Sequence, residues 1–280
     1  MELWFTEQHS KDLRFLIKVT KQVYSVKSDF QNICIFDSEE FGRFLVIDDY
    51  LMLTEKDEFI YHEMISHVPI STNLNLKNIL VIGGGDGGTV REIVKYSNDM
   101  KIDVCEIDSV VVDACKKYLP SVACGFNDKR VKIYFEDGTK FVKNINNKYD
   151  LIIIDSTDPF GPGEALFTEE FYYDCFNALT ENGILVNQHE SVFYSEYIQQ
   201  MIKVNKNLKN IFPICEIYQA HIPTYPSGHW LFGFASKTIQ PTIDFKSEGW
   251  NNLDIKTKYY NTNLHIGAFM LPNYVKEKFS

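Results

Sequence analysis

The aliphatic run Lys77-Asn78-Ile79-Leu80-Val81-Ile82 ends abruptly in Gly83-Gly84-Gly85-Asp86-Gly87-Gly88, and the helix-compatible Thr89-Val90-Arg91-Glu92-Ile93-Val94 follows. That order of residue types predicts strand, tight turn and helix, the first βα turn of a nucleotide-binding unit. The glycines serve two needs there: the turn visits positive φ, and a backbone without Cβ lets a ligand approach the helix N-terminus. Gly83, Gly85 and Gly88 also satisfy the dinucleotide pattern G-x-G-x-x-G. Asp86 argues against a dinucleotide, because its charge repels the phosphates that such a loop normally collects. The loop therefore suits a nucleoside that carries positive charge.

Further strand and helix units follow. Lys101–Glu106 is a second strand, and its terminal Glu106 is placed to accept hydrogen bonds from two ribose hydroxyls. Val131–Phe135 is a third, ending at Glu136-Asp137-Gly138, where Asp137 can accept from an adenine amino group and Gly138 permits close approach. Each acid taken singly could be a helix N-cap; Asp86, Glu106 and Asp137 in one register suggest a site. The fourth strand, Tyr149–Ile154, is continuously apolar and leads into Asp155-Ser156-Thr157-Asp158-Pro159-Phe160-Gly161-Pro162-Gly163. Such a strand is central and parallel, with its carboxyl end open on a site. Asp155 and Asp158 flank a turn there, and the Pro/Gly stretch after them is a candidate lid of irregular loop. Gly183–Gln188 is the fifth strand, and runs at 214–218 and 230–234 bracket Ile222-Pro223-Thr224-Tyr225-Pro226-Ser227-Gly228. The expectation is an α/β fold with a mainly parallel, seven-stranded, Rossmann-like sheet of the class I methyltransferase type, carrying one antiparallel strand.

Before the glycine loop, residues 1–54 contain short runs rich in β-branched and aromatic residues (15–20, 23–26, 32–36 and 43–47) separated by turn residues such as Asp48-Asp49. They predict a small antiparallel β domain, with residues 55–280 forming the larger unit. A helix is expected from an N-cap at Thr54 to His67, stopping before Pro69. It carries Tyr61 and His62 towards the glycine loop, either as site groups or as core residues. His62 and His67 are five apart and point to different sides of that helix, so no metal is expected. A net charge of -10 disfavours nucleic acid and anionic membranes as partners. The scattered cysteines, the absence of a signal peptide and the strand-sized apolar runs suit a cytoplasmic protein with reduced thiols.

An adenosine pocket with a carboxylate in its loop suits an S-adenosyl sulfonium, which brings its own leaving group. The protein then has to orient a nucleophile and take its proton. An amine with a pKa near 10 costs roughly 4 to 5 kcal/mol to deprotonate at pH 7, and an adjacent carboxylate can hold the ammonium and accept the proton as the nitrogen attacks. Asp155 is the candidate acceptor of the proton. Asp86, Asp155 and Asp158, with Tyr61, His62, Gln188 and Tyr225, describe a groove for a flexible dication.

Four segments, 54–64, 83–88, 155–162 and 222–228, resemble the signature segments of the spermidine synthases, the polyamine aminopropyltransferases, and the resemblance covers essentially the whole chain. It implies transfer of an aminopropyl group from decarboxylated S-adenosylmethionine to putrescine, giving spermidine and 5'-methylthioadenosine, with no prosthetic group and no metal. Carried over, it puts Gln31, Glu106, Asp137, Gly138 and Pro162 on the nucleoside and Asp86 on the aminopropyl ammonium. Tyr61, His62, Ser156, Thr157, Asp158, Gln188 and Tyr225 line the amine groove, and Asp155 accepts the proton. A homodimer or homotetramer with the β domain at its interface is also implied. Gln31, by its spacing alone an ordinary loop amide, enters the site only through this resemblance. Cadaverine, agmatine and spermidine stand as alternative acceptors. The rival activities are amine N-methylation with intact S-adenosylmethionine, silent polyamine binding, and nicotinamide chemistry resting on the glycine pattern alone.

Overall fold

The computed structural model describes residues 2–96, 99–156 and 161–279, without the side chains of 161, 162 and 195–197. Six strands come first. β1 (Leu3–Gln8) and β2 (Arg14–Val19) form a hairpin, and β3 (Lys21–Lys27), β4 (Asn32–Ser38), β5 (Gly42–Ile47) and β6 (Tyr50–Thr54) an antiparallel sheet. The reading from sequence missed β1 and β6. Asp48 and Asp49 form the turn that was expected, both at positive φ (47° and 68°), and it joins β5 to β6 as a two-residue hairpin.

Helix α1 (Glu58–Thr72) differs from expectation at both ends. Thr54 does not cap it: its hydroxyl donates to Asp57 Oδ1 (2.7 Å), and Asp57 Oδ2 accepts from the backbone N–H (3.0 Å) and the hydroxyl (2.8 Å) of Thr224. These two residues tie the 222–228 loop to the start of α1. Nor does Pro69 stop the helix, which runs through it for three more residues. Nearly every residue of α1 is buried, so packing on all sides outweighs the lost hydrogen bond.

The large sheet is built from β7 (Asn78–Gly83), β8 (Lys101–Glu106), β9 (Val131–Phe135), β10 (Tyr149–Asp155), β11 (Leu179–Gln188), β12 (Ile214–His221) and β13 (His229–Ser236). Its order is β12-β13-β11-β10-β7-β8-β9, with β13 antiparallel to both neighbours and the remaining pairs parallel. Apolar residues leave both faces of the central strands buried: Ile79 and Val81 pack into one core cluster, Leu80 and Ile82 into the other. Continuous burial explains why these strands read as unbroken aliphatic runs. The chain reverses direction across the sheet between β7 and β10, and the crevice at that point lies outside the carboxyl ends of the strands. Of the stretch expected to be an irregular lid, residues 161–163 open a 3₁₀ helix that runs to Phe167, and 157–160 lie outside the described residues. Among the described residues, no helix is long and apolar enough to cross a membrane.

Candidate active site

The carboxyl ends of β7, β8, β10 and β11 open on one cleft that holds about 1290 Å3 of empty space, including solvent at its mouth. At its floor β7 and β10 run in register, Asp155 opposite Gly83, and the Gly84 N–H donates to the Asp155 carbonyl at 2.7 Å. Gly83 has φ +82°, and a Cβ there would lie 2.2 Å from that carbonyl oxygen, so a side chain is excluded twice over. The glycine turn and the end of β10 thereby set each other's position.

The Asp155 side chain is held from two sides. Tyr61 OH donates to Oδ1 (2.7 Å) and Thr89 Oγ1 to Oδ2 (2.7 Å). Burial and the neighbouring Asp86 push its pKa up, against opposing pulls from His62 and the two hydroxyls. The Tyr61 hydroxyl is pushed well above its ordinary value by burial and by Asp155, so it stays a donor. Asp86 Oδ1 accepts from the Gly88 N–H (2.7 Å) and lies 3.2 Å from His62 Nε2. Burial alone would raise the Asp86 pKa; His62 and Gly88 outweigh it and hold the group ionised. Nδ1 of His62 lies 2.5 Å from Glu58 Oε2, and Arg91 grips Glu58 with two bonds of 2.8 Å. Burial would discharge the imidazole, but Asp86 and Glu58 together lift it to about 10.

His62, Asp86 and Asp155 offer ligand-type atoms that all lie within 4.8 Å of one another. The spacing of His62 and His67 gave no sign of this three-residue cluster, because its other members arrive from the glycine loop and β10. Both imidazole nitrogens face carboxylates, however, and a ring that donates from both has no lone pair for a metal.

At the end of the cleft formed by β8 and β9, Glu106 is buried and accepts the Asp108 N–H (2.9 Å) on Oε1. Burial, with Asp108 nearby, raises its pKa to about 7. Gln31 reaches Asp108 Oδ2 through Nε2 (3.1 Å), which sets it at the rim of the same end. Asp137 does cap a helix, Oδ1 accepting the N–H (2.9 Å) and hydroxyl (2.7 Å) of Thr139, and it lines the cleft as well. It therefore caps the helix and faces the cleft at once.

Tyr61, His62, Ser156, Gln188 and Tyr225 line the cleft around Asp86 and Asp155, while Gly138 lines it beside Asp137 and Glu106. Tyr225 spends its hydroxyl on the Met52 carbonyl (2.6 Å) and offers its ring, 6.3 Å from that of Tyr61. Gln188 accepts the Glu190 N–H (3.0 Å) on its side-chain oxygen. Thr157 and Asp158 lie outside the described residues, as does the side chain of Pro162. Sequence reasoning missed Glu7, His9, Glu190 and Trp230 in the lining. Glu7 is a buried acid on β1 that accepts the Leu51 N–H (2.8 Å), and only recognition of β1 as an alternating strand could have pointed to it.

A spermine/spermidine synthase domain matches residues 58–247, and a spermidine synthase tetramerisation domain matches residues 3–55. Polyamine aminopropyltransferases of Alkaliphilus oremlandii and Clostridium perfringens are 62% and 63% identical to the chain over 277 residues, 99% of this chain and 98% of each relative. A spermidine synthase solved in complex with the transition-state analogue AdoDATO superposes with a TM-score of 0.96 at 42% identity, covering 99% of this chain and 94% of that one. The spermidine synthase of Thermotoga maritima gives a TM-score of 0.93 at 40% identity, with the same coverage. The small antiparallel sheets followed by a mainly parallel seven-stranded Rossmann-like sheet are thus those of solved spermidine synthases, and the chain belongs to the spermine/spermidine synthase family of polyamine aminopropyltransferases.

Proposed function

We propose that the chain transfers the aminopropyl group of decarboxylated S-adenosylmethionine to putrescine, giving spermidine and 5'-methylthioadenosine. One observation carries this reading: two carboxylates, Asp86 and Asp155, stand side by side at the glycine turn, each held by its own hydrogen-bond donors. Asp86 grips the ammonium of the donor's aminopropyl chain. The amine nitrogen attacks the propyl carbon bonded to sulfur, a C–N bond forms, and the C–S bond breaks, leaving the sulfur neutral in methylthioadenosine. The proton lost by the attacking nitrogen goes to Asp155. Because an amine with a pKa near 10 costs about 4 kcal/mol to deprotonate at pH 7, transfer of the proton during attack supplies a large part of the catalysis.

In this reading Gln31, Glu106, Asp137, Gly138 and Pro162 hold the nucleoside. Tyr61, His62, Ser156, Thr157, Asp158, Gln188 and Tyr225 enclose the amine, the aromatic rings covering its methylenes. Residues 1–54 form the unit through which copies associate as a dimer or tetramer, residues 55–280 form the catalytic unit, and the reaction takes place in the cytoplasm.

The acceptor is tested by measuring kcat/KM for putrescine, cadaverine, agmatine and spermidine with the decarboxylated donor. Putrescine is expected to lead; one methylene in an apolar groove discriminates by about 1–3 kcal/mol, or about 10- to 200-fold. A higher kcat/KM for any of the other three would reassign the acceptor.

A further inference from the structure

Glu58 and Arg91 do not line the cleft, yet they end a chain of contacts that starts in it: Asp86, His62, Glu58, Arg91. His62 is almost fully buried, and the side chains of Glu58 and Arg91 are only 7% and 16% exposed. Two hydrogen bonds of 2.8 Å from Arg91 fix Glu58 as a carboxylate. The Gly88 N–H on Oδ1 does the same for Asp86. His62 thus lies between two groups that accept and do not donate, whereas a neutral imidazole has a single N–H. Its ring packs directly on Gly88, where a Cβ would fall 2.2 Å from its Cε1.

We infer that Glu58 and Arg91 are positioning residues for the transfer: they hold His62 as an imidazolium, one fixed positive charge beside Asp86 and Asp155. The inference rests on the aminopropyl-transfer reading for its kinetic consequence, but the charge on His62 is independent of it. Two carboxylates this close share a proton unless a cation offsets them. With His62 charged, Asp155 enters the reaction ionised and able to accept, and Asp86 is left with Oδ2 for the donor's ammonium.

The groups that face the ring set the sign of the effect. Glu58 on α1 and Asp86 on the glycine turn favour the charged form, and so does Asp155 at the end of β10. Tyr61 meets the ring edge-on at 5.4 Å and stays neutral. Arg91, on the helix Gly88–Ile93, opposes the charge, but Glu58 and Glu92 compensate it. Replacing Glu58 by glutamine removes the anion and leaves Arg91 acting on the ring. The imidazole then discharges at neutral pH, and Asp155 takes up a proton at higher pH than before.

The direct test is a 15N and 13C spectrum of the His62 ring in the whole wild-type protein at pH 8, assigned by its loss in His62→Gln. Both nitrogens protonated is the expected result; a neutral ring overturns the inference. The kinetic test is the pH dependence of kcat/KM for the amine. In Glu58→Gln the acid limb is expected to move up by about one to two pH units, costing up to about 10- to 100-fold at pH values below both limbs and little on the alkaline plateau. His62→Gln alone should show a similar shift, and adding Glu58→Gln to it should move the limb no further. A loss equal at every pH, or a further shift in the double variant, would mean that Glu58 only supports the fold. The wild-type spectrum needs neither turnover nor a variant that folds with a changed Glu58, so failure of aminopropyl transfer and failure of this inference are separable.

Discussion

Replacing Asp155 by asparagine separates chemistry from binding at the reacting nitrogen. The amide is nearly isosteric, and the two hydroxyls that hold the carboxylate, Tyr61 and Thr89 at 2.7 Å each, still find partners: one donates to the amide oxygen, and the other rotates to accept from the amide nitrogen. The side chain therefore stays in place while losing its charge and its basicity. Loss of a positioned general base costs about 10²- to 10⁴-fold, or about 3–5 kcal/mol of barrier. Loss of a charge-assisted hydrogen bond to the amine adds about 1.5–3 kcal/mol. Together these predict a fall in kcat/KM for putrescine of about 10³- to 10⁶-fold, read as methylthioadenosine release under first-order conditions. Affinity for methylthioadenosine, which lacks the aminopropyl group, should change less than about threefold, within about 0.7 kcal/mol. The protein should also lose no stability at pH 8. Burial and Asp86 disfavour the ionised Asp155, and a neutral amide relieves both, so the melting temperature should equal or exceed that of the wild type. A variant with more than about a tenth of the wild-type kcat/KM would refute the base role, since the base contribution alone is put at two decades or more. Equal collapse of methylthioadenosine binding would show that the loss is structural.

Four further outcomes follow from the same geometry. Burial pushes the Glu106 carboxyl up to about 7, and ribose hydroxyls favour its ionised form, so methylthioadenosine binding at pH 7 should release about half a proton and weaken as pH falls. Calorimetry in buffers of different ionisation enthalpy reads this, and Glu106→Gln should abolish it. The same raised pKa means that the folded protein binds more protons than the unfolded chain between about 4.5 and 7. Stability from this group therefore declines as pH rises through that window, and the melting temperature of Glu106→Gln should gain on the wild type from pH 5 to 7. Gly88→Ala drives a methyl group into the His62 ring and should cost at least about tenfold in kcat/KM, roughly 1.4 kcal/mol or more of transition-state stabilisation; wild-type kinetics would show that the ring moves aside freely. Asp57→Ala unties Thr224 from the start of α1 and should raise KM for the amine at least about fivefold with a smaller effect on kcat, as about 1 kcal/mol of loop anchoring is lost per bond; an unchanged KM would show that Tyr225 is held without it.

The parts of the molecule legible in the sequence are those in which one local pattern has one physical meaning. An aliphatic run ended by glycines is strand and turn, and a central strand buried on both faces shows as Leu151-Ile152-Ile153-Ile154 without a break. Asp86, Glu106 and Asp137 stood out because three acids at strand ends in one register are harder to explain as helix caps than any one alone, and Asp155 because it ends a continuously apolar strand. β1 was illegible because its polar positions, Thr6, Glu7 and Gln8, mask an alternation of only two buried apolar and acidic side chains, Phe5 and Glu7. The far end of α1 was misread because Pro69 is a strong local signal that burial on all sides overrides. Glu58 was unremarkable for another reason: its partner Arg91 lies 33 residues away, and an acid in the first turn of a helix already has a sufficient local explanation. Gln31 belongs to the same class, since its partner Asp108 lies 77 residues on.

Whether this cleft moves an aminopropyl group or a methyl group onto an amine is read from the mass of the product. Purified protein is offered decarboxylated or intact S-adenosylmethionine together with putrescine, and the amine products are weighed by mass spectrometry. The account predicts an adduct heavier by one aminopropyl unit with the decarboxylated donor, equimolar methylthioadenosine, and no adduct with the intact donor. Methylated putrescine from the intact donor, or no amine product from either, would contradict it.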